Sequence, residues 1–262
     1  ILHWAMGVVM TPLLGSCAAD DVVGDAGREG CDIISGQPMT VTSVTRSTDG
    51  GKSSTQFEQD EIVWLWANKA DGSEYIKAWK LTAQGGVSLS GSPQYWPSDG
   101  SSLDVYALHG NFKNSPSISE GTTQWSNLLL THTVEADQTS DNKKRLSDLL
   151  YSQTSSAVAP NTGSVQLTFD HLLAKITVKL DLTNSKGINE GELANAEVKL
   201  TNILPDATIS NTSLTANPVQ TSTTGTRTTI ISGKIPSSII SGNVIGSAIV
   251  PLQDFGGGKG SD

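Results

Sequence analysis

Charge is scarce in this chain. Only 16% of its 262 residues are Asp, Glu, Lys or Arg, against about 25% in ordinary domains. Helical proteins dress their exposed faces with Glu, Lys, Arg, Ala and Leu, so this composition excludes a helix bundle. The basic residues form no run, and a net charge of -9 with a pI near 4.8 surrounds the chain with a field that repels polyphosphate. Nucleic acid is excluded as a partner. No apolar run reaches the roughly 20 residues that a spanning helix needs. There are two cysteines, Cys17 and Cys31, so no disulfide framework can replace a core.

Catalytic and metal-binding patterns are also missing. The four histidines, His3, His109, His132 and His171, make no HxxxH, HExxH or Cys/His cluster. No GxSxG elbow supplies a nucleophile, and Asp170 next to His171 points to the opposite face of a strand. Glu135, Asp137 and Asp141 lack the ordered spacing and central glycine of a calcium loop. The stretch Gly256-Gly257-Gly258-Lys259-Gly260 has Gln253 where a phosphate loop needs its first glycine, and Gly260 where it needs Ser or Thr. No cofactor and no enzymatic activity are expected. Asn211-Thr212-Ser213 fits a glycosylation sequon and is expected to be a turn.

What is present is hydroxyl: roughly a quarter of the chain is Ser or Thr, with 26 Gly and Val, Ile and Leu throughout. That mixture suits strands and turns. Met39–Thr45 reads as a strand closed by Arg46 and the turn residues 47–51. Ile62–Trp66 is apolar on both faces, which places it between two layers. Further strands are expected at Tyr75–Leu81, Val87–Leu89 and Leu103–Leu108, separated by Gly-rich turns. Residues 141–151 set Leu146, Leu149 and Leu150 on one face, with Asp141 or Asn142 as cap, and give the one expected helix. From 164 onward Val165, Leu167 and Phe169 alternate on odd numbers but Ala174, Ile176, Val178 and Leu180 on even ones, so a bulge or bend must flip the face near Asp170–Leu173. Strands follow at Ala196–Leu200, Ala207–Leu214, Thr226–Ile231 and Val244–Val250. Short, evenly spaced strands indicate sandwiches.

The N-terminal residues ILHWAMGVVMTPLL have the length of a secretory apolar region. Leu14-Gly15-Ser16-Cys17 behind them resembles the lipobox of bacterial lipoproteins, which implies cleavage before Cys17 and a lipid on its sulfur. Lipidation would leave Cys31 without an internal partner. Neither an initiator Met nor a basic segment precedes the apolar run, so the signal is expected to be truncated. The acidic, glycine-containing residues that follow read as a tether. The resulting division is 1–16 signal peptide, 17–37 tether, 38–160 first β-sandwich and 161–262 second β-sandwich, the last expected to be incomplete. The boundary is placed on the Gly/Ser/Pro/Asn stretch 157–163.

Several segments in order, Phe57–Ala67, Tyr95-Trp96-Pro97 with Leu103–Ala107, Ser147–Tyr151, and Phe169-Asp170-His171-Leu172-Leu173-Ala174-Lys175-Ile176, resemble the fimbrillin family of Bacteroidetes, the Mfa-like and major-fimbrillin-like pilins. The resemblance implies an all-β fold of two tandem transthyretin-like Greek-key sandwiches. It implies a surface-exposed lipoprotein of the outer membrane, held by lipid on Cys17 and built into a fimbrium by strand donation between subunits. A role in adhesion to a host or bacterial surface ligand follows. In relatives triggered by a trypsin-like protease, cleavage after an arginine near the first strand opens the acceptor groove. Arg46 is the matching candidate here, with Arg28 in the tether as second choice; other relatives donate a C-terminal strand and need no cut. The alternative is a surface glycan-binding lipoprotein using Tyr75, Trp79, Tyr95, Trp96 and Trp125 as a stacking platform. A secreted hydrolase fits worst, for want of a catalytic set.

Overall fold

A computed structural model of the chain describes residues 37–46, 56–112, 117–160, 163–181, 190–216, 221–237 and 242–253. Its strands are β1 (Thr40–Arg46), β2 (Ile62–Lys69), β3 (Glu74–Ala83), β4 (Ser88–Gly91), β5 (Leu103–His109), β6 (Leu129–Thr133) and β7 (Leu150–Gln153). They continue with β8 (Ser164–His171), β9 (Ala174–Lys179), β10 (Glu197–Ile203), β11 (Asp206–Ser210), β12 (Ser222–Thr224), β13 (Thr228–Lys234) and β14 (Val244–Val250). The expected single helix is corrected to three among the described residues: α1 (Asp141–Leu146), α2 (Glu190–Leu193) and α3 (Asn211–Leu214).

Seven strands close into a barrel in the order β1-β4-β3-β2-β5-β7-β8. The rest form a three-stranded sheet β12-β11-β6 and two pairs, β10-β13 and β9-β14. The pairing crosses residue 160 in both directions. β8, which follows the expected boundary, closes the barrel against β1 and β7. β6, which precedes it, runs antiparallel to β11 from Thr133↔Asp206 to Leu129↔Ser210.

The two-sided reading of residues 62–66 has a direct structural cause. Val63, Leu65 and Ala67 on one face of β2 enter the barrel core with Phe57, Leu81, Val105, Leu167 and Phe169. Trp66 on the other face joins a second core with Leu130, Ile209, Ile230 and Val250, which lie on the smaller sheets. Trp125 plugs that second core. Its ring stacks on Tyr106 at 4.3 Å and 12°, lies 6.3 Å from Tyr151, and meets Trp66 at 5.7 Å. The indole N–H of Trp66 donates to the Thr123 carbonyl at 2.9 Å, so the large apolar ring is buried with its one polar group satisfied.

The face switch near residue 171 is a change of sheet. Val165, Leu167 and Phe169 of β8 point into the barrel, Leu172 and Leu173 fall into the second core, and β9 leaves to pair with β14. The helix expected over 141–151 stops at Leu146, because Leu149 and Leu150 are both buried, and Leu150 begins β7. Its cap is Ser140, not Asp141 or Asn142: the Ser140 hydroxyl accepts from the Lys143 N–H. The sequon Asn211-Thr212-Ser213 is likewise helical, held by a reciprocal capping box between Ser210 and Ser213.

Two buried polar side chains tie the segments together. Gln138 acts as a peptide group would. Its Nε2 donates to the Ile249 carbonyl at 2.9 Å and its Oε1 accepts from the Ile249 N–H at 2.8 Å. The Gln138 backbone N–H meanwhile donates to the Ile231 carbonyl at 2.8 Å, so one residue bridges β13 and β14. His132 of β6 is fully buried. The Asn111 N–H donates to its Nδ1 at 2.9 Å, which leaves the proton on Nε2 to be donated to the Ser147 carbonyl at 3.0 Å. Gly110 is required beside it, since a Cβ there would stand 2.9 Å from Nδ1.

Burial pushes His132 down to about 4. The folded protein therefore holds a neutral imidazole where the unfolded chain, near 6.5, takes up a proton. Stability is full above about pH 6.5 and falls as the pH drops toward 4, by on the order of 3 kcal/mol from this group. Urea denaturation of the wild-type chain and of His132→Gln at pH 7 and pH 4.5 checks this: the stability difference between the two proteins is expected to shrink at the lower pH. Trp125→Ala, which empties the centre of the second core, is expected to cost about 3–5 kcal/mol by the same denaturation.

Candidate functional site

The barrel is closed by its first strand. β1 alternates Thr with apolar or small residues, so Val41 and Ser43 face inward and Thr40 outward, with Met39 buried just before the strand. On one side β1 meets β4 antiparallel, at Val41↔Leu89 and Thr42↔Ser88, extended by Met39 N–H to the Gln94 carbonyl at 2.7 Å and Ser43 N–H to the Val87 carbonyl at 2.9 Å. On the other side it runs parallel to β8, from Thr40↔Ser164 to Arg46↔Phe169. This is the one parallel strand pair among the described residues. Its register slips between Ser43 and Thr45.

Each of these features makes the β1–β8 ladder weaker than a regular antiparallel ladder of the same length. Parallel pairing is slightly less stable per residue than antiparallel, and a bulge disrupts the ladder. The Ser43 hydroxyl is buried with no hydrogen-bond partner, which costs about 1–3 kcal/mol relative to a satisfied one. Against this, Met39 and Val41 contribute roughly 1.5–3 kcal/mol each by burial. The slot that β1 fills has Leu89 on the β4 bank and Val165, Leu167 and Phe169 on the β8 bank, all in the barrel core. Without β1 it would present unpaired backbone groups on both banks and an apolar floor between them.

Arg46, expected at the end of the first strand, is its last residue. Arg28 and Cys17 lie outside the described residues. The aromatics proposed as a platform do not come together on the surface: Trp79, Trp96 and Trp125 are all buried in the two cores. Tyr75 and Tyr95 are exposed, and the Tyr75 hydroxyl donates to the Tyr95 carbonyl at 2.9 Å. His171 is oriented by Asp148, with Nδ1 2.8 Å from its carboxylate, and not by the adjacent Asp170, which is exposed. Neither the Asp148 contact nor the His132 network was legible in sequence, since their partners lie 23 and 15–21 residues away along the chain. Among the described residues no group of three His, Cys, Asp or Glu side chains could hold a metal ion.

The profile of the family described as Fimbrillin-like matches residues 45–250. The chain belongs to that family. Among solved structures it is similar in fold to a candidate cell adhesion protein from Bacteroides ovatus, with a TM-score of 0.57, 14% identity, and 84% of this chain and 79% of that one covered. It is also similar to a candidate cell adhesion protein from Bacteroides uniformis, with a TM-score of 0.51, 19% identity, and coverage of 82% and 74%. No curated protein matches the sequence.

Removing the stranded hydroxyl should tighten the closure. Ser43→Ala is expected to raise stability by about 1 kcal/mol, which for a chain of this size shifts the melting temperature by about 2–4 °C in calorimetry.

Proposed function

We propose that this fimbrillin-like chain is a structural subunit of a cell-surface fimbrium, exported as a lipoprotein through Cys17 and joined to its neighbours by strand exchange. Family membership supports the fimbrial assignment. The observation that carries the assembly step is the closure of the barrel by a bulged strand in parallel pairing, with a buried hydroxyl left unsatisfied.

The steps follow from the chemistry of the strand. Cleavage of the peptide bond after Arg46 detaches β1 from the chain that follows it, leaving its two ladders and, among the described side chains, the apolar Met39 and Val41 to hold it. Its departure opens the slot between β4 and β8. A strand from a neighbouring subunit then satisfies the exposed N–H and C=O groups and the apolar floor in one step. Arg28 is the second choice of cleavage site. The family resemblance supports reading the chain as two tandem transthyretin-like sandwiches, with strands shared across residue 160. Lipid on Cys17 would hold the subunit at the outer membrane before assembly, and the finished fimbrium would carry adhesion.

The protein from Asp32 onward, treated with limiting trypsin, is expected to be cut after Arg46 and then to form heat-sensitive ladders on unheated gels and larger species by light scattering. Arg46→Ala should remain monomeric under the same treatment. A particle that stays monomeric after confirmed cleavage at Arg46 would sink the proposed opening step. For the anchor, labelled fatty acid is expected to enter the full-length protein in cells and to be lost in Cys17→Ala.

A further inference from the structure

β3 is interrupted away from the β1 slot. Its register against β2 slips between Leu65↔Trp79 and Ala67↔Ile76, and Ala78 within the slip has φ +39°. That is left-handed backbone, which a residue with a Cβ adopts only when its surroundings force it. A loop caps the bulge. The Gly121 N–H reaches the carbonyls of both Lys77 and Ala78, at 3.1 and 3.3 Å. Bulges re-aim side chains, and strained non-glycine residues gather where ligands are held.

Between the bulge and this loop lies an open cleft of about 590 Å³, lined by Tyr75, Lys77, Trp79, Ser92, Gln94 and Glu120. Its walls are fixed in advance. The Tyr75 ring, 36% exposed, is pinned by its hydroxyl to the Tyr95 carbonyl and by Lys69, whose Nζ lies 5.7 Å from the ring centroid. Lys69 is itself fixed to Asp99 at 2.7 Å, and that contact holds the Asp99 carboxyl well below the usual carboxylate range. On the opposite wall the Ser92 hydroxyl donates to Glu120 at 3.1 Å. Below them is Trp79, buried, with its Nε1 unpaired and set against Gly91, where a Cβ would stand only 2.7 Å from that nitrogen.

The charges around the cleft oppose one another, one Lys and one Glu, beside a hydroxyl and an amide. An anion or a cation would meet a like charge on one wall. A neutral polyol can donate to Glu120, accept from Lys77 and Gln94, and lay a C–H face on the tyrosine ring. The volume suits a short oligosaccharide. We infer that this cleft binds a neutral saccharide. The inference rests on the cleft alone and stands whether or not subunits exchange strands.

Saturation-transfer NMR and fluorescence titration of the full chain with mannotriose, cellotriose and chitotriose, and with sialyllactose as the anionic comparison, test it. At least one neutral trisaccharide is expected to bind saturably and more tightly than sialyllactose. Tyr75→Ser and Glu120→Gln should each weaken it by about tenfold or more without shifting the melting temperature; tenfold corresponds to about 1.4 kcal/mol. Glu120→Gln keeps the shape of the wall, so its effect is separable from misfolding. Absence of saturable binding by all three neutral sugars, equal binding by Tyr75→Ser, or preference for sialyllactose would each overturn the assignment.

Discussion

A β-strand has two faces, and in most surface sheets only one of them is dry. The wall formed by β2, β5 and β7 is dry on both. Val63, Leu65, Val105 and Leu150 fill the barrel, while Trp66, Leu108 and Tyr151 on the outward side are covered by the smaller sheets and by Trp125. Everything else is arranged around that double burial. The barrel cannot be peeled from the smaller sheets without exposing the aromatic group around Trp125, although those sheets also share an apolar cluster of their own around Val198, Ile235 and Ile245. The exchange of strands across residue 160 follows from the same constraint, because β6 must lie on the outer side of the wall and β8 must complete the inner one.

Against so firmly packed a wall, β1 stands out by contrast. It lies across the ring from β2 and β5, joins its neighbours in mixed parallel and antiparallel fashion, and among its described side chains brings only Val41 to the apolar core. Apolar burial is thus unevenly distributed: two cores share the β2–β5–β7 wall, while β1 faces one.

Much of this was legible in the residues. The all-β class, the double-faced segment at 62–66, the face switch near 171 and the arginine that ends the first strand follow from period and turn chemistry, which are local. The parts that escaped are those decided by distant partners. β6 is a short LLTHT with only one buried leucine, and its identity as a strand comes from β11, more than seventy residues later. Residues 211–214 look like the continuation of β11, but the Ser210–Ser213 capping box turns them into a helix. The indoles at 79, 96 and 125 could as well have been a platform as a core from sequence alone, because a strand's period says which residues share a face and not which face is wet. The bulge at Ala78 carries no sequence signal at all; nothing in an alanine announces a positive φ.

Gln138 has a consequence for how such a protein behaves among its own copies. A chain rich in short strands, with exposed β-edges, risks indiscriminate pairing wherever a peptide group is left open. At Ile249 both the donor and the acceptor of β14 are already occupied by a side-chain amide, a group that copies the peptide's geometry yet cannot propagate a ladder. The amide works as a chain terminator for hydrogen bonding: an approaching strand finds the ladder at that point already ended, and must displace a buried residue before it can add to the sheet.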